Sequence, residues 1–573
     1  MPNARLLIGP LLRRVVGTRA TVWVETSAPA VVRVRTPGGA GGHATTFTAF
    51  DHHYALVVVD GLAAGADTTY EVLIDDEVAW PLPGGSLPPS VIRTRAADDR
   101  DDPVRLVFGS CRETTQHSTT RRLPPDALDA YARRLMAGGE RPDLILLLGD
   151  QVYADITSRT VRKLLRRRRR RPAGAPRHEV VTYDEYTKLY LESWRDPEIR
   201  WLFSTVPTAM IFDDHEIVDD WNTSVAWRAD MREQSWWSER ITAGLASYWV
   251  YQHLGNLDPD ELATDPVYAK VAAAEDGTSV LKEFAARVDK ESDVAHDTDQ
   301  WRATQYQWSY ALDVGRTRVV MLDNRCSRVL DPGNRAMLPA GEWAWFLDQA
   351  HGSYEHLVVG SSLPWLLPPG VHHLESWNER LADSDRQWVA RMSEQVRRAV
   401  DLEHWAAFHR SFEALAELFA RLGTGEPAAT GGAGAATQRI GAGPAYAPPA
   451  SINVLSGDVH HSYVAEARFS LDVVTPVHQL TCSPIHNQVP AVMRPLMRLG
   501  WWRGPSEAVR ALARTAGLRR PIVRWRRKAG PYFGNAVSTL EHVGRTARVT
   551  IEGTDNAGNL NTIAAVKLTR DDG

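Results

Sequence analysis

Leu144-Ile-Leu-Leu-Leu148 is an uninterrupted aliphatic run that stops abruptly at Gly149-Asp150. It is too short to cross a membrane and does not alternate, so it reads as a strand buried on both faces, as in a parallel sheet with helices on each side. The Asp then lies at the carboxyl end of the strand, the rim where open α/β sheets bind ligands. Four other apolar runs end on chemistry-bearing residues. Val104 to Gly109 leads to Cys111, Val206 to Phe212 leads to Asp213-Asp-His-Glu216, Val319 to Leu322 leads to Asp323-Asn-Arg325, and Ser451 to Ser456 leads to Gly457-Asp458-Val-His460-His461. A thiol, imidazoles and carboxylates gathered at one rim would repel or titrate unless a cation sat among them, so the pattern predicts a metal centre.

At 573 residues the chain is too long for one core. The first 95 residues alternate in short runs such as Ala20–Glu25, Val31–Arg35 and Tyr54–Val59, separated by Gly/Pro/Asp turns, which predicts a small β-sandwich of fibronectin III or immunoglobulin type. An acidic linker, 96–103, leads into an α/β domain over 104–573. Within it the reading places insertions near 164–178 and 423–449 and two closing strands over 537–568, with Thr554 to Asn559 as their turn. A net charge of −4 excludes a global polycation, and three cysteines give no disulfide framework and fit a reducing compartment. With no signal-peptide h-region and no run of membrane-spanning length, the expected location is cytoplasmic.

Two basic stretches stand apart. Arg166 to Arg171 are consecutive arginines, read as a solvated insertion, with a positive rim that draws anionic substrates as the alternative. Residues 491–528 mix Arg with Trp501, Trp502 and Trp525, a composition suited to weak membrane or polyanion contact. Pro495, Pro505 and Pro521 interrupt it and favour a surface excursion instead. The tryptophans between Trp221 and Trp308 read as core rather than as a stacking platform.

Taken together, Gly109-Ser-Cys111, Gly149-Asp150-x-x-Tyr153, Asp213-Asp-His-Glu216, Leu322-Asp-Asn-Arg325 and Ser456-Gly-Asp458-Val-His460 resemble the alkaline phosphatase D (PhoD-like) branch of the calcineurin-like metallophosphoesterases. The likeness spans roughly residues 104–490. It implies an α/β layered sheet sandwich with flanking helices, preceded by the all-β domain.

The resemblance also implies roles. Cys111 and Tyr153 would ligate Fe(3+), and Asp150 would bridge it to a harder ion, Ca(2+), other divalent ions remaining open; thiolate and phenolate suit iron, an oxygen-only pocket calcium. Asp214, with Asn222 and Asp219 just downstream, would serve the second metal, and Asp458 and His460 would take one metal each. His215 would act on the substrate as general acid or proton donor, and Arg325 and Arg112 would hold phosphate oxygens by bidentate hydrogen bonds. Read apart from the resemblance, Asp213 orients His215 rather than binding metal, Asp323 orients Arg325 or a loop, and His461, Cys326 and Cys482 are neighbours or structural.

The implied activity is hydrolysis of phosphate monoesters or diesters by a metal-activated hydroxide at a dinuclear site. The alternative from another class is an anion-, lipid- or nucleic-acid-binding protein whose metal site is structural or decayed. The sequence leaves the oligomeric state open.

Overall fold

The computed structural model describes residues 4–96, 102–115, 117–119, 123–167, 171–291, 306–425 and 447–570. The N-terminal part is all β. Strands β1 (Leu6–Val16), β2 (Arg19–Thr26), β5 (Phe47–Ala49) and β6 (His52–Val59) form one antiparallel sheet. β3 (Val31–Arg35), β4 (Gly41–Thr45), β8 (Glu71–Ile74) and β9 (Glu77–Trp80) form a second, and β7 (Asp67–Thr69) pairs with β10 (Val91–Arg93). The two faces enclose Leu12, Val22, Val24, Val34, Val57 and Trp80.

This part is fastened to the rest of the chain. Trp23 and Tyr54 share a buried cluster with Trp194 and Tyr251. Arg13, wholly buried, donates to the carbonyls of Thr208 (3.1 Å), Tyr251 (3.0 Å) and Gln252 (2.7 Å) and to Asn256 Oδ1 (3.0 Å).

The α/β part holds two sheets face to face. In the first, β11 (Val104–Gly109), β12 (Leu144–Leu148) and β13 (Thr208–Ile211) run parallel, and β11 is flanked on its other side by antiparallel β21 (Ala536–Val543), β22 (Thr546–Thr554) and β23 (Leu560–Lys567). The second has the order β14 (Tyr310–Val314), β15 (Thr317–Leu322), β16 (His356–Ser361), β17 (Ser451–Ser456), β19 (Val477–Thr481), β18 (Ser462–Phe469), β20 (Val523–Tyr532), and its four central strands β15, β16, β17 and β19 are parallel.

The pleat explains why the central runs do not alternate. Leu144, Leu146 and Leu148 face the core between the sheets, with Met321, Val358 and Leu455. Ile145 and Leu147 face the outer layer, with Tyr186, Leu202 and Trp249. Both faces of the strand are dry, so both registers are aliphatic.

The structure amends several expectations. The five motif-bearing strands do not share one sheet: three belong to the first, and β15 and β17 to the second, and the ends of the two sets meet. The C-terminal segment is three strands, not two, because Gly544 at φ 52° makes an extra turn after Val543. Arg166 and Arg167 end a helix, Arg159–Arg167, whereas Arg171 is anchored on Glu185 at 2.8 Å and on the Pro176 and Glu179 carbonyls; residues 168–170 of the arginine run lie outside the described residues. So do 426–446 of the expected 423–449 insertion, whose first residues close the helix His409–Thr424. Residues 491–528 supply the helices Arg494–Leu499 and Arg503–Thr515 and the start of edge strand β20. Trp221, Trp227, Trp236, Trp237, Trp249 and Trp308 are buried, as a core reading requires, and Trp301 lies outside the described residues. No described helix is long and apolar enough to cross a membrane.

Two glycines set the distance between the two rims. A Cβ on Gly457 would lie 2.0 Å from Ser110 Oγ and 3.1 Å from the Leu148 carbonyl, and one on Gly149, at φ +103°, 2.6 Å from Asp213 Cβ. Gly457→Ala is therefore expected to lower stability by ~1–3 kcal/mol, the usual cost of overpacking, and to spread the rims. Gly504→Ala, with nothing within 4 Å of its new Cβ, should shift the denaturation midpoint little. Equal midpoints for the two variants would show that the rims do not press on each other.

Candidate metal centre

The strand ends place the side chains through backbone that most residues avoid. Cys111 (φ 58°), Asp150 (52°), Asn222 (66°), Asp458 (64°) and His460 (49°) are all left-handed. Such conformations cost on the order of 1 kcal/mol each outside glycine and collect at functional sites. They turn the chain sharply enough for the thiol, the carboxylate of Asp150 and the His460 ring to converge, with one ligand atom of each within 4.8 Å of the others. Asp150, Asp213 and Asp214 form a second such group, and Asp214, Glu403 and Asp458 a third.

Around Cys111 Sγ, Ser110 Oγ lies at 3.1 Å and the Ser483 hydroxyl donates at 3.2 Å. Burial, then the carboxylates of Asp150 and Asp458, push the thiol well above its ordinary range. The Tyr153 hydroxyl donates to Asp150 Oδ2 at 3.1 Å and accepts from Asn487 Nδ2 at 3.0 Å. Burial drives the Asp150 carboxyl far up, and Asp213, Asp214 and Glu216 reinforce it against the opposing pull of His215. Asp150 Oδ1 and Asp213 Oδ2 are buried and have no hydrogen-bond partner, while Asp214 Oδ1 has the Arg325 guanidinium at 3.3 Å but no hydrogen bond. Buried anionic oxygens without donors are what a cation satisfies. The donor set therefore fits a metal pair, with a sulfur-containing pocket at Cys111 and an oxygen-rich one at Asp214.

Asp213 to Glu216 make a single 3-10 turn that sends consecutive side chains apart. Glu216 folds back to accept from the backbone N–H groups of Gln151 and Asp213, each at 2.8 Å. Asp214 faces Arg325, 3.3 Å away. His215 lies against the Tyr153 ring, centroids 4.5 Å apart, with Nδ1 2.8 Å from Asp155 Oδ2. Burial opposes a charged imidazole, yet Asp155, Asp150 and Asp214 outweigh it and hold His215 well above its ordinary range.

Asp155, two residues beyond Tyr153, thus does the orienting that the sequence reading gave to Asp213. Asp213 instead accepts from Arg325 Nε at 2.5 Å. Asp323 accepts from the backbone N–H groups of Arg325 and Cys326 and shapes that loop, as expected.

The two arginines are corrected by their burial. Arg325 is wholly enclosed, with Nη1 on Glu403 at 2.5 Å and Nη2 3.7 Å from Asp458 Oδ1. It neutralises carboxylates and presents no fork to a phosphate. Arg112 is bound to Asp126 Oδ2 at 2.8 Å and to Ser193 Oγ at 2.7 Å, also buried. Asn222 donates to the Arg325 carbonyl at 2.8 Å. Asp219 is exposed, lies 3.7 Å from His215 Nε2 and joins none of the acid groups among the described residues.

Sequence reasoning missed one arm of the site. His404 bridges Asp458 Oδ2 (3.0 Å) and Glu375 Oε1 (2.8 Å), and Glu403 binds Arg325 and Arg328. Burial resists ionisation of Asp458, but His404 and Arg325 hold its pKa down at about 2. Leu402-Glu-His404 follows a helix in an irregular turn and ends no apolar strand, so its only signal was the clustering of Asp401, Glu403 and His404.

A family model described as PhoD-like phosphatase matches residues 108–281, and one described as a domain of unknown function (DUF7800) matches residues 3–92. No curated protein sequence matches the chain. Among solved structures, one titled as the structure of PhoD aligns with a TM-score of 0.56 at 12% identity, covering 100% of this chain and 94% of its own. A purple acid phosphatase, PPD1, from yellow lupin (Lupinus luteus) seeds aligns at 0.47 and 9% identity, covering 98% of this chain and 74% of its own. At 12% identity the first likeness speaks for the fold alone, and the second is too loose to carry an argument. Residues 108–281, the stretch matched by the PhoD-like phosphatase model, supply Cys111, Asp150, Tyr153, Asp214 and His215.

Proposed function

We propose that the chain hydrolyses phosphate esters at a dinuclear metal site set between the two sheet rims. The observation that carries the reading is the pair of buried, partnerless oxygens on Asp150 and Asp213, with the Asp214 carboxylate next to them, beside a buried thiol. Cys111, Asp150, Tyr153 and His460 would hold one ion, and Asp214 and Asp458, with Glu403 and Asn222 beside them, the other. Fe(3+) and Ca(2+) suit these two donor sets. When bound, such a pair supplies positive charge to the oxygens that enter and leave phosphorus.

The chain's own groups do the rest. Asp155 fixes the His215 ring through Nδ1, which leaves Nε2 to give a proton to the departing alkoxide. Arg325, spent on Asp213 and Glu403, keeps the carboxylate cluster from repelling itself apart. The match of residues 108–281 to the phosphatase model supports a phosphate ester as the substrate, and the enclosure of Arg112 and Arg325 leaves its recognition to the metal pair and His215.

Elemental analysis of the purified protein, with rates on an aryl phosphate monoester and a bis-aryl diester, tests this. Iron, calcium and a visible charge-transfer band are expected, and Cys111→Ser should bleach the band. Colourless protein containing zinc alone would remove the iron assignment, and undiminished turnover after chelation would overturn the whole reading.

A further inference from the structure

The segment after Val489 leaves the sheet sandwich and forms two helices that bury almost nothing apolar. Helix Arg494–Leu499 has no buried residue, and in helix Arg503–Thr515 only Ser506 and Ala513 are buried. The apolar side chains on and beside them are open instead: Val492 is 79% exposed, Leu496 60% and Trp502 59%, with Met493, Leu499 and Leu512 also in the open. Short helices in water are held by burying an apolar face, and these lack one.

What fixes their position is the packing of helix Arg503–Thr515 along helix Pro369–Ala382, together with backbone and ring contact. The Gly370 N–H donates to the Gly500 carbonyl at 2.9 Å, and Trp501 turns inward against Tyr463, centroids 5.2 Å apart. Its neighbour Trp502 is left outside.

Charge says what suits this face. From Arg494 to Arg520 the sequence carries seven arginines against the single acid Glu507, in a chain whose net charge is −4. Exposed aliphatic and indole groups with guanidinium groups between them match an anionic lipid surface, whose headgroups take the charge and whose acyl boundary takes the apolar tips. A nucleic acid would use the arginines but leave Val492, Leu496 and Trp502 without a partner.

The face also adjoins the metal centre. Arg494 and Arg498 lie over the Phe533 ring, 5.8 and 5.1 Å from its centroid, and Phe533 lies 5.7 Å from His461, which follows His460 directly. We propose that these two helices dock the protein on anionic phospholipid, Leu496 and Trp502 entering the headgroup layer, so that catalysis takes place beside the membrane surface.

Flotation of the full-length, metal-loaded protein with phosphatidylcholine vesicles, with and without phosphatidylglycerol, tests this. Binding is expected only where phosphatidylglycerol is present, and it should fall as salt rises. Arg498→Gln should lower partitioning about five-fold, and the pair Leu496→Ser, Trp502→Ser about ten-fold or more. Unchanged hydrolysis of a soluble aryl phosphate and an unchanged Tm would show that both proteins remain folded. Absent binding, or equal binding to both vesicle types, overturns the proposal. So does retention on duplex DNA that responds to Arg498→Gln but not to the Leu496/Trp502 pair, which would identify a polyanion surface instead.

Discussion

His215→Asn is expected to cut turnover of an alkyl phosphate by ~10²–10⁴-fold, the range of a positioned proton donor, while both metals stay bound. The imidazole is held by Asp155 at Nδ1 and turned away from Asp214, which faces Arg325 across the 3-10 turn. Its loss therefore removes a proton and leaves the carboxylate groups in place. A nitrophenyl ester should suffer far less, since nitrophenolate departs without help. Asp155→Asn should reproduce part of the same leaving-group dependence, because it loosens the ring without removing it. Turnover on both esters with elemental analysis of each variant decides the matter: metal loss, or equal losses on good and poor leaving groups, would reassign His215 to the metal pair.

Metal removal should make stability strongly pH-dependent. In the stripped protein burial raises Asp214 from 3.8 to about 6, with Asp150 and Asp213 pushed further in the same direction. A carboxyl whose folded pKa is raised keeps its proton in the folded state after the unfolded chain has released it. Stability is then intact below pH ~4 and drains away as pH rises through the folded pKa. Asp214 alone accounts for on the order of 3 kcal/mol at neutral pH. Bound cations remove this loss by making the ionised form the favoured one. The Tm gap between loaded and chelated protein should accordingly widen from pH 4 to pH 7. A gap that stays constant over that window would mean that the carboxylates are paired well enough without metal.

Much of the architecture was legible because dry strands have a plain signature. Leu144–Leu148 could be nothing but buried on both faces, and the Gly-Asp that follows marks the end of a strand where the chain must turn left-handed and come close to a neighbour. The division of the motif strands between two sheets was not legible, because β16 (His356–Ser361) joins β15 to β17 in the second sheet and ends on serines, with no chemistry to single it out. Arg112 and Arg325 were misread for a related reason. An arginine in sequence suggests a solvent-facing fork, and only the fold reveals that Asp126, or Asp213 and Glu403, already occupies it. Asp155, Glu375 and His404 act through other side chains rather than at a strand end, and no local spacing announces such partnerships.

Arg13 gives the N-terminal sheets a consequence for how the protein can be handled. A gene fragment beginning near residue 104 would strip the Thr208, Tyr251 and Gln252 carbonyls and Asn256 of their shared donor, and would bare the Trp194 and Tyr251 rings to water. Thr208 begins the strand that leads to Asp213–Glu216, so the damage would start one strand length from the metal centre. Screening libraries or expression trials cut at the edge of the phosphatase match at residue 108 would be expected to yield insoluble material, and a negative assay on such a fragment would say nothing about the enzyme.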